Sequence, residues 1–463
     1  MQPCSGFSAP TRARCCEGVG LERGEGSVSE QYLVKPGGRL GGRLSVPGDK
    51  SISHRALLLG ALATGRSEVE GFLASEDCLA TMAALRSMGV RIEREDHRVV
   101  VHGVGLHGLQ AASMPLDLGN SGTAIRLLAG VLAGQRFDSE LRGDASLMRR
   151  PMGRVAAPLN AMGARVETRD GCPPLTIRGG QALTGIDYTL PVASAQVKSA
   201  LLLAGLYAEG VTTVRGSGTS RDHTERMLLS MGVELVVEDD GAIHLTPGTG
   251  PEAMDVRVPG DLSSAAFFLV GGCLAAEDEL VIEGVGLNPT RLGVIGVLEA
   301  MGGEITVSNR HMEGREPVGD LHIRRSVLKG IEIPPEVVPL AIDEFPALFI
   351  AAAAAEGETR VTGAAELRHK ESDRIATMVQ GLRALGGDVE ELPDGAIIRG
   401  GRRLQGGTVD SHGDHRVAMA FAMAALVADG PITIHDTDNV ATSFPGFPGL
   451  ARAAGLDLEV NSS

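Results

Sequence analysis

The chain repeats itself, and that constrains the fold more than any other feature. An amphipathic stretch ending in a small-residue stop recurs as LRSMGV (85–90), LNAMGA (159–164), LLSMGV (228–233), LEAMGG (298–303), LRALGG (382–387) and, degraded, ARAAGL (451–456). The glycines fall at 89, 163, 232, 302, 386 and 455, spaced by 74, 69, 70, 84 and 69 residues. A second element keeps step: a polar start followed by a small-residue apolar run, beginning at Ser51, Ser121, Ser194, Ser263, Asp343 and Gly413. Two registers agreeing on about 70 residues mark six copies of one supersecondary unit, none able to bury its apolar face alone.

Each unit reads as a helix, a short strand, a second helix and then further strands. The first helix is apolar nearly all round, which predicts burial among its neighbours. In the second helix of the fifth unit, Ile375, Met378, Val379, Leu382 and Leu385 line one face. Its glycine stop belongs at C′, where a left-handed residue is needed. Alternating segments such as RVETRD (165–170) and ELVVED (234–239) read as strands. The chain holds 63 glycines in 463 residues, about twice ordinary usage, with no three-residue period. Close-packed small-residue helices with glycine stops account for that excess; collagen does not.

The tetrapeptide VPGD occurs twice, at 46–49 and 258–261, each time just before a first helix, with three units between the copies. Pro-Gly punctuates a chain strongly. We therefore expect one domain over 48–258 with units one to three, and a second over 28–47 plus 259–463 with units four to six. The two crossings would form a hinge able to close around a ligand. Residues 1–27 carry Arg12, Arg14 and Arg23 against Glu17, Glu22 and Glu25 without an apolar core, and are expected to be a disordered extension rather than a secretory signal. Three of six cysteines (Cys4, Cys15, Cys16) crowd that segment; Cys78, Cys172 and Cys273 stand apart and are expected to be buried small hydrophobes in a reducing cytoplasm.

Polar residues collect at helix starts. The first helices open on Lys50-Ser51 with Arg55, Asn120-Ser121-Gly122-Thr123 with Arg126, Ser194-Ala195-Gln196 with Lys198, Asp343-Glu344, and His415-Arg416. The second open near Arg149-Arg150, Arg221-Asp222-His223, Arg291, and the run from Arg368 to Arg374 that includes Lys370 and Glu371. A helix N-terminus carries about half a positive charge, so cations there are unfavourable unless an anion joins them. The cations Lys50, Arg55, Arg126, Arg150, Arg221, Lys370, Arg374 and Arg416 gather in a chain whose net charge is −15. Two phosphates and two carboxylates, roughly −5 to −6 in all, would balance them once Asp343 and Glu371 are counted.

Other chemistries fit poorly. The negative charge and only 13 aromatic residues disfavour nucleic-acid binding, by backbone or by stacking. The longest apolar runs, about a dozen residues, fall short of a membrane span. No phosphate-binding GxxxxGK[ST] motif is present, and the glycine pairs do not open a strand–turn–helix unit in GxGxxG form. His54, His223, His369 and His415 lie beside Lys or Arg, which disfavours a metal. Acid–base chemistry by Lys, Asp and Glu on bound anions remains.

The motifs GDKSISHRALLLGAL, LGNSGTAIRLL, RRPMGR, SAQVKSALLLAG, SRDHTERML, DEFPAL, RHKESDRI and GDHRVAMAFA, in that order, resemble the 5-enolpyruvylshikimate-3-phosphate synthase family across about residues 30–455. The resemblance implies an α/β fold: a two-domain inverse α/β barrel of six βαβαββ-like units with its active site in the interdomain cleft. It also implies transfer of the enolpyruvyl group of phosphoenolpyruvate to the 5-hydroxyl of shikimate 3-phosphate, with release of phosphate, in aromatic amino acid biosynthesis. No cofactor or metal is implied, and the protein would act as a cytoplasmic monomer. By the same resemblance, Lys50, Ser51, Arg55, Ser194, Ala195, Gln196, Arg221, Asp343 and Lys370 would hold shikimate 3-phosphate. Phosphoenolpyruvate would sit against Lys50, Asn120, Gly122, Arg150, Gln196, Arg374 and Arg416. Asp343 would be the base for the 5-hydroxyl, with Glu371 or Lys50 delivering the proton to the methylene carbon. Arg126 reads as support rather than a ligand.

Two departures stand out. Many family members carry a lysine before the late TFP segment, where this chain has Ser443. GDKS, SAQVK, RDHTE and NPTR resemble a bacterial subclass associated with glyphosate tolerance, yet Gly122 is retained where the most tolerant members have alanine. Glyphosate is therefore expected to inhibit. The alternatives are UDP-N-acetylglucosamine enolpyruvyl transferase, whose loop cysteine has no counterpart in 136–154; RNA 3′-terminal phosphate cyclase, disfavoured by the acidity; and a non-catalytic anion-binding protein of the same fold.

Overall fold

In a computed structural model the described residues are 29–216, 219–248 and 250–462, so Cys4, Cys15, Cys16 and the expected disordered extension lie outside them. These residues form a mixed α/β fold containing six four-stranded sheets. In every sheet one edge strand runs parallel to its neighbour and the next two pairings are antiparallel. The repeat therefore extends from sequence to hydrogen-bond pattern.

Two strands come from far along the chain. Leu40–Leu44 pairs in parallel with Ala276–Gly286, completing the fourth unit's sheet. Glu30–Val34 lies between Ile432–His435 and Leu458–Ser462 in the sixth. At the other crossing, Val256–Arg257 pairs in parallel with Thr64–Glu70 in the first. The buried apolar side chains form two clusters. One draws on residues between Ile52 and Val258, the other on Tyr32–Val46 and Leu262–Leu458.

The six first helices are Lys50–Leu62, Gly122–Ala133, Ala195–Gly205, Leu262–Ala275, Phe345–Ala354 and His415–Ala424. In the first, every residue from Ile52 to Leu62 is buried, as its all-round apolar sequence predicts. Close approach needs small residues. A Cβ on Gly130 would lie 2.2 Å from the Ala200 carbonyl oxygen, where Gly122–Ala133 packs on Ala195–Gly205. Five of the six N-termini are capped by side chains, those of Asp49, Ser121, Ser194, Asp261 and Asp414. Each cap satisfies a backbone donor that the helix cannot.

The second helices end as the repeat predicts: Gly89, Gly163, Gly232, Gly302, Gly386 and Gly455 all have positive φ. Ile375, Met378, Val379, Leu382 and Leu385 are all buried. Cys78 and Cys273 are buried, and burial pushes both thiols up to about 12. Cys172 departs from expectation; it sits half-buried in a strand beside the Asp170–Gly171 turn. No described helix is long and apolar enough to cross a membrane.

Candidate active site

A cavity of about 320 Å³ opens where the helix starts of both halves meet. The starts of all six first helices border it, through Lys50 and Ser51, Gly122 and Thr123, Ser194 to Val197, Asp261 and Ser263, Asp343 in the turn just before Phe345, and His415 and Arg416. Nine Lys and Arg side chains line it against five Asp and Glu, an excess of four positive charges in a protein of net charge −15. Six converging N-termini add to that field.

The expected acid–base residues stand close together. Asp343 pairs through Oδ2 with Arg221 at 2.5 Å and through Oδ1 with Lys370 at 3.0 Å and Arg374 at 3.4 Å. Arg416 donates to its backbone carbonyl at 3.1 Å. Burial raises the Asp343 carboxyl, but Lys370, Arg221, Arg416 and Arg374 outweigh it and hold the group well below the usual carboxylate range. Glu371 is similar. Burial raises it, while Arg374 at 2.6 Å and Arg150 at 3.4 Å, helped by Lys370, hold it well below its ordinary value. Arg374 is itself fixed by Asp414, Nε to Oδ2 at 2.8 Å.

Lys50 forms an ion pair with Asp77 and donates to Ser443 Oγ at 2.8 Å. His415 Nε2 lies 3.1 Å from the same hydroxyl. Burial, then Arg416 and Lys50, depress the His415 imidazole to about 3, so it is neutral and Ser443 bridges it to the ammonium. Asp77 escaped the sequence reading. It is buried, its Oδ1 lacks a partner, and burial raises its carboxyl despite Lys50. A signal existed: Asp77 occupies the second-helix start of unit one, the place taken by Arg150, Arg221, Arg291 and Lys370 in other units.

Two predicted ligands do not line the cavity. Arg55 is turned inward, donating to Thr224 Oγ1 at 2.6 Å, Ser199 Oγ at 2.8 Å and the Ser51 carbonyl at 2.9 Å. Asn120 accepts from Arg150 Nη2 at 2.5 Å and donates to Asp144 at 2.7 Å, so it aims Arg150. Arg126 does reach the cavity, and its Nη1 donates to Gln196 Oε1 at 2.6 Å, supporting that side chain. Arg154 and Glu366 were also missed; they pair at 2.5 Å from the two sides of the mouth.

Comparison with known proteins now bears directly on this cleft. The family described as EPSP synthase (3-phosphoshikimate 1-carboxyvinyltransferase) matches residues 34–450. The chain belongs to the EPSP synthase family. The 3-phosphoshikimate 1-carboxyvinyltransferase of Acidithiobacillus ferrooxidans is 61% identical over 435 residues, 94% of this chain and 100% of that protein. That of Methylococcus capsulatus is 59% identical over 432 residues, covering 93% and 98%. The solved EPSP synthase of Acinetobacter baumannii superposes with a TM-score of 0.84 at 52% identity, over 94% of this chain and all of that one. The enolpyruvyl transferase NikO of Streptomyces tendae, with a TM-score of 0.77 and 17% identity over 94% and 100%, shares the fold.

Proposed function

We infer that the chain transfers the enolpyruvyl group of phosphoenolpyruvate to the 5-hydroxyl of shikimate 3-phosphate, releasing phosphate, in the shikimate pathway to aromatic amino acids. The observation that carries this beyond family membership is the cleft itself. Two half-buried carboxylates sit among five basic side chains, beneath six helix N-termini, in a cavity with four positive charges in excess. That suits two phosphates and two carboxylates, roughly −5 to −6.

Site roles follow from the charge pairing. Arg221, with Ser51, Ser194, Ala195, Gln196 and Lys370, receives shikimate 3-phosphate. Arg150, Arg374, Arg416, Gly122 and Lys50 receive phosphoenolpyruvate. In the free protein Asp343 and Glu371 neutralise these cations themselves. A substrate phosphate that recruits Arg221 relieves Asp343 of one counter-ion, and its basicity rises as it meets the 5-hydroxyl. Asp343 then accepts that proton, while the methylene carbon is protonated by Lys50, held by Asp77 and Ser443, or by Glu371 once phosphoenolpyruvate draws Arg150 and Arg374 from it and lets its carboxyl hold a proton. The cationic C2 is attacked by the 5-oxygen to give a tetrahedral intermediate. Reversing the proton movements expels phosphate.

The architecture proposed is the six-unit inverse α/β barrel, with domains at 48–258 and at 28–47 plus 259–463. The two separate apolar clusters and the strands exchanged near both VPGD segments support it. We further propose that the protein acts as a cytoplasmic monomer and that glyphosate competes with phosphoenolpyruvate.

Phosphate release from phosphoenolpyruvate, with and without shikimate 3-phosphate, tests the function. Release should require shikimate 3-phosphate and should not occur with UDP-N-acetylglucosamine. Release supported only by the latter, or by neither, overturns the assignment.

A further inference from the structure

The two VPGD segments carry the chain from one apolar cluster to the other, and their backbones pair. Asp49 N–H donates to the Pro259 carbonyl and Asp261 N–H to the Pro47 carbonyl, both at 2.8 Å, with Gly48 and Gly260 bridged antiparallel. The approach is tight. A Cβ on Gly260 would lie 3.0 Å from Val46 Cγ2 of the other segment, and one on Gly48 would lie 3.1 Å from Val258 Cγ1.

Pairing the crossings brings two buried aspartates to one place. Asp49 Oδ1 caps the helix Lys50–Leu62 through Ile52 N–H at 2.9 Å. Asp261 caps Leu262–Ala275 through Ser263 N–H at 3.2 Å and also accepts from Ser264 Oγ at 3.1 Å. A single guanidinium joins them. Arg291 Nη1 bonds Asp49 Oδ2, while Nη2 bonds Asp261 Oδ1 at 2.8 Å and Ser263 Oγ at 2.6 Å. Glu344, the residue after Asp343, bonds the same Ser263 hydroxyl, with an oxygen 3.9 Å from Nη2. Arg291 is 4% exposed and borders the cavity. Its two tines therefore touch the residue before Lys50 and, through Ser263, the residue after Asp343.

We propose that Arg291 is a positioning residue for enolpyruvyl transfer, pinning the two crossings so that Lys50 and Asp343 face each other at a fixed offset. The proposal rests on the functional reading above. A planar fork suits the task because it meets two separate carboxylates in one rigid geometry, which an ammonium cannot. A displacement of about 1 Å between reacting groups costs up to about a hundredfold in rate. Of the proposed shikimate 3-phosphate contacts, Ser51 follows Lys50 on the pinned helix, whereas Ser194, Ala195, Gln196, Arg221 and Lys370 lie on other elements, so most of the binding does not pass through the pin.

The test compares the parent enzyme with Arg291→Lys and with Arg291→Gln/Asp261→Asn, which removes the guanidinium while relieving the carboxylate repulsion. Turnover, KM for both substrates, shikimate 3-phosphate binding by calorimetry and Tm are measured. Turnover should fall at least about tenfold in both variants, with shikimate 3-phosphate affinity within about threefold of the parent. Parental turnover in a folded variant overturns the proposal, as does a parallel loss of affinity, turnover and Tm, which marks a merely structural residue. If neither variant folds, Asp261→Asn alone decides by the same two readouts. Absence of turnover in the parent enzyme would instead count against the functional reading.

Discussion

Substituting Gly122 by alanine adds one methyl where the phosphoenolpyruvate site is proposed. The backbone tolerates it, because Gly122 is the first residue of a helix and does not have positive φ, and alanine favours helix over glycine by about 1 kcal/mol. The new Cβ would lie 2.9 Å from Arg126 Nη1 and 3.0 Å from Arg150 Nη1. Ordinary contact is about 3.5 Å, so both guanidiniums must recede by about 0.5 Å. Arg150 is held by Asn120 at 2.5 Å and by Glu371 at 3.4 Å, and Arg126 by Gln196 at 2.6 Å, so neither moves without weakening a bond. Overpacking of this kind costs about 1–3 kcal/mol, equivalent to roughly 5- to 150-fold in affinity. Glyphosate should therefore inhibit the parent enzyme more strongly than Gly122→Ala, and KM for phosphoenolpyruvate should rise in the variant. Initial rates of phosphate release, at saturating shikimate 3-phosphate and graded glyphosate, give both constants. Equal inhibition constants would refute the steric argument.

Asp343→Asn should lower turnover by about 10²- to 10⁴-fold in the phosphate-release assay; normal turnover would exclude Asp343 as the base. Asp49 gives a pH signature. Burial raises its carboxyl, but Arg291 and the neighbouring cations bring it to about 2 from its usual 3.8, so its stabilisation is complete above about pH 4 and is lost as pH falls towards 2. Asp49→Asn should accordingly cost about 2 kcal/mol in denaturant unfolding near neutral pH and progressively less below about pH 4, whereas a pH-independent difference would rule out the ion pair as its source. Arg154→Ala removes a pair whose members are 42% and 36% exposed, so its stability effect should stay below about 1 kcal/mol, and a Tm drop of more than about 5 °C would contradict that.

Much of the fold was legible because it is written locally. A left-handed C′ residue, a capping side chain and a one-sided apolar face are properties of a few consecutive residues, so Gly89, Gly163 and their four counterparts announced themselves by spacing alone. The gathering of cations at helix starts was equally local, and it pointed to a small anionic ligand in an acidic protein. The periodicity also told which end of each unit faces the common cleft.

Periodicity fixes where a side chain sits along a unit, but not which partner from another unit meets it. Arg55 stands at a helix start like the other cations, yet Thr224 and Ser199, brought by the third unit, turn it away from the cavity. Asp77 becomes the counter-ion of Lys50 only once the first two helices of unit one pack. Ser443 reaches the same ammonium from 393 residues along the chain, and Arg291 meets Asp49 across 242. The sequence by itself determined the repeating unit, its caps and stops, and the polar ends that make the site. Only the tertiary structure decided which of those charges are spent on one another and which are left for substrate, because that depends on distances between residues with no local relation.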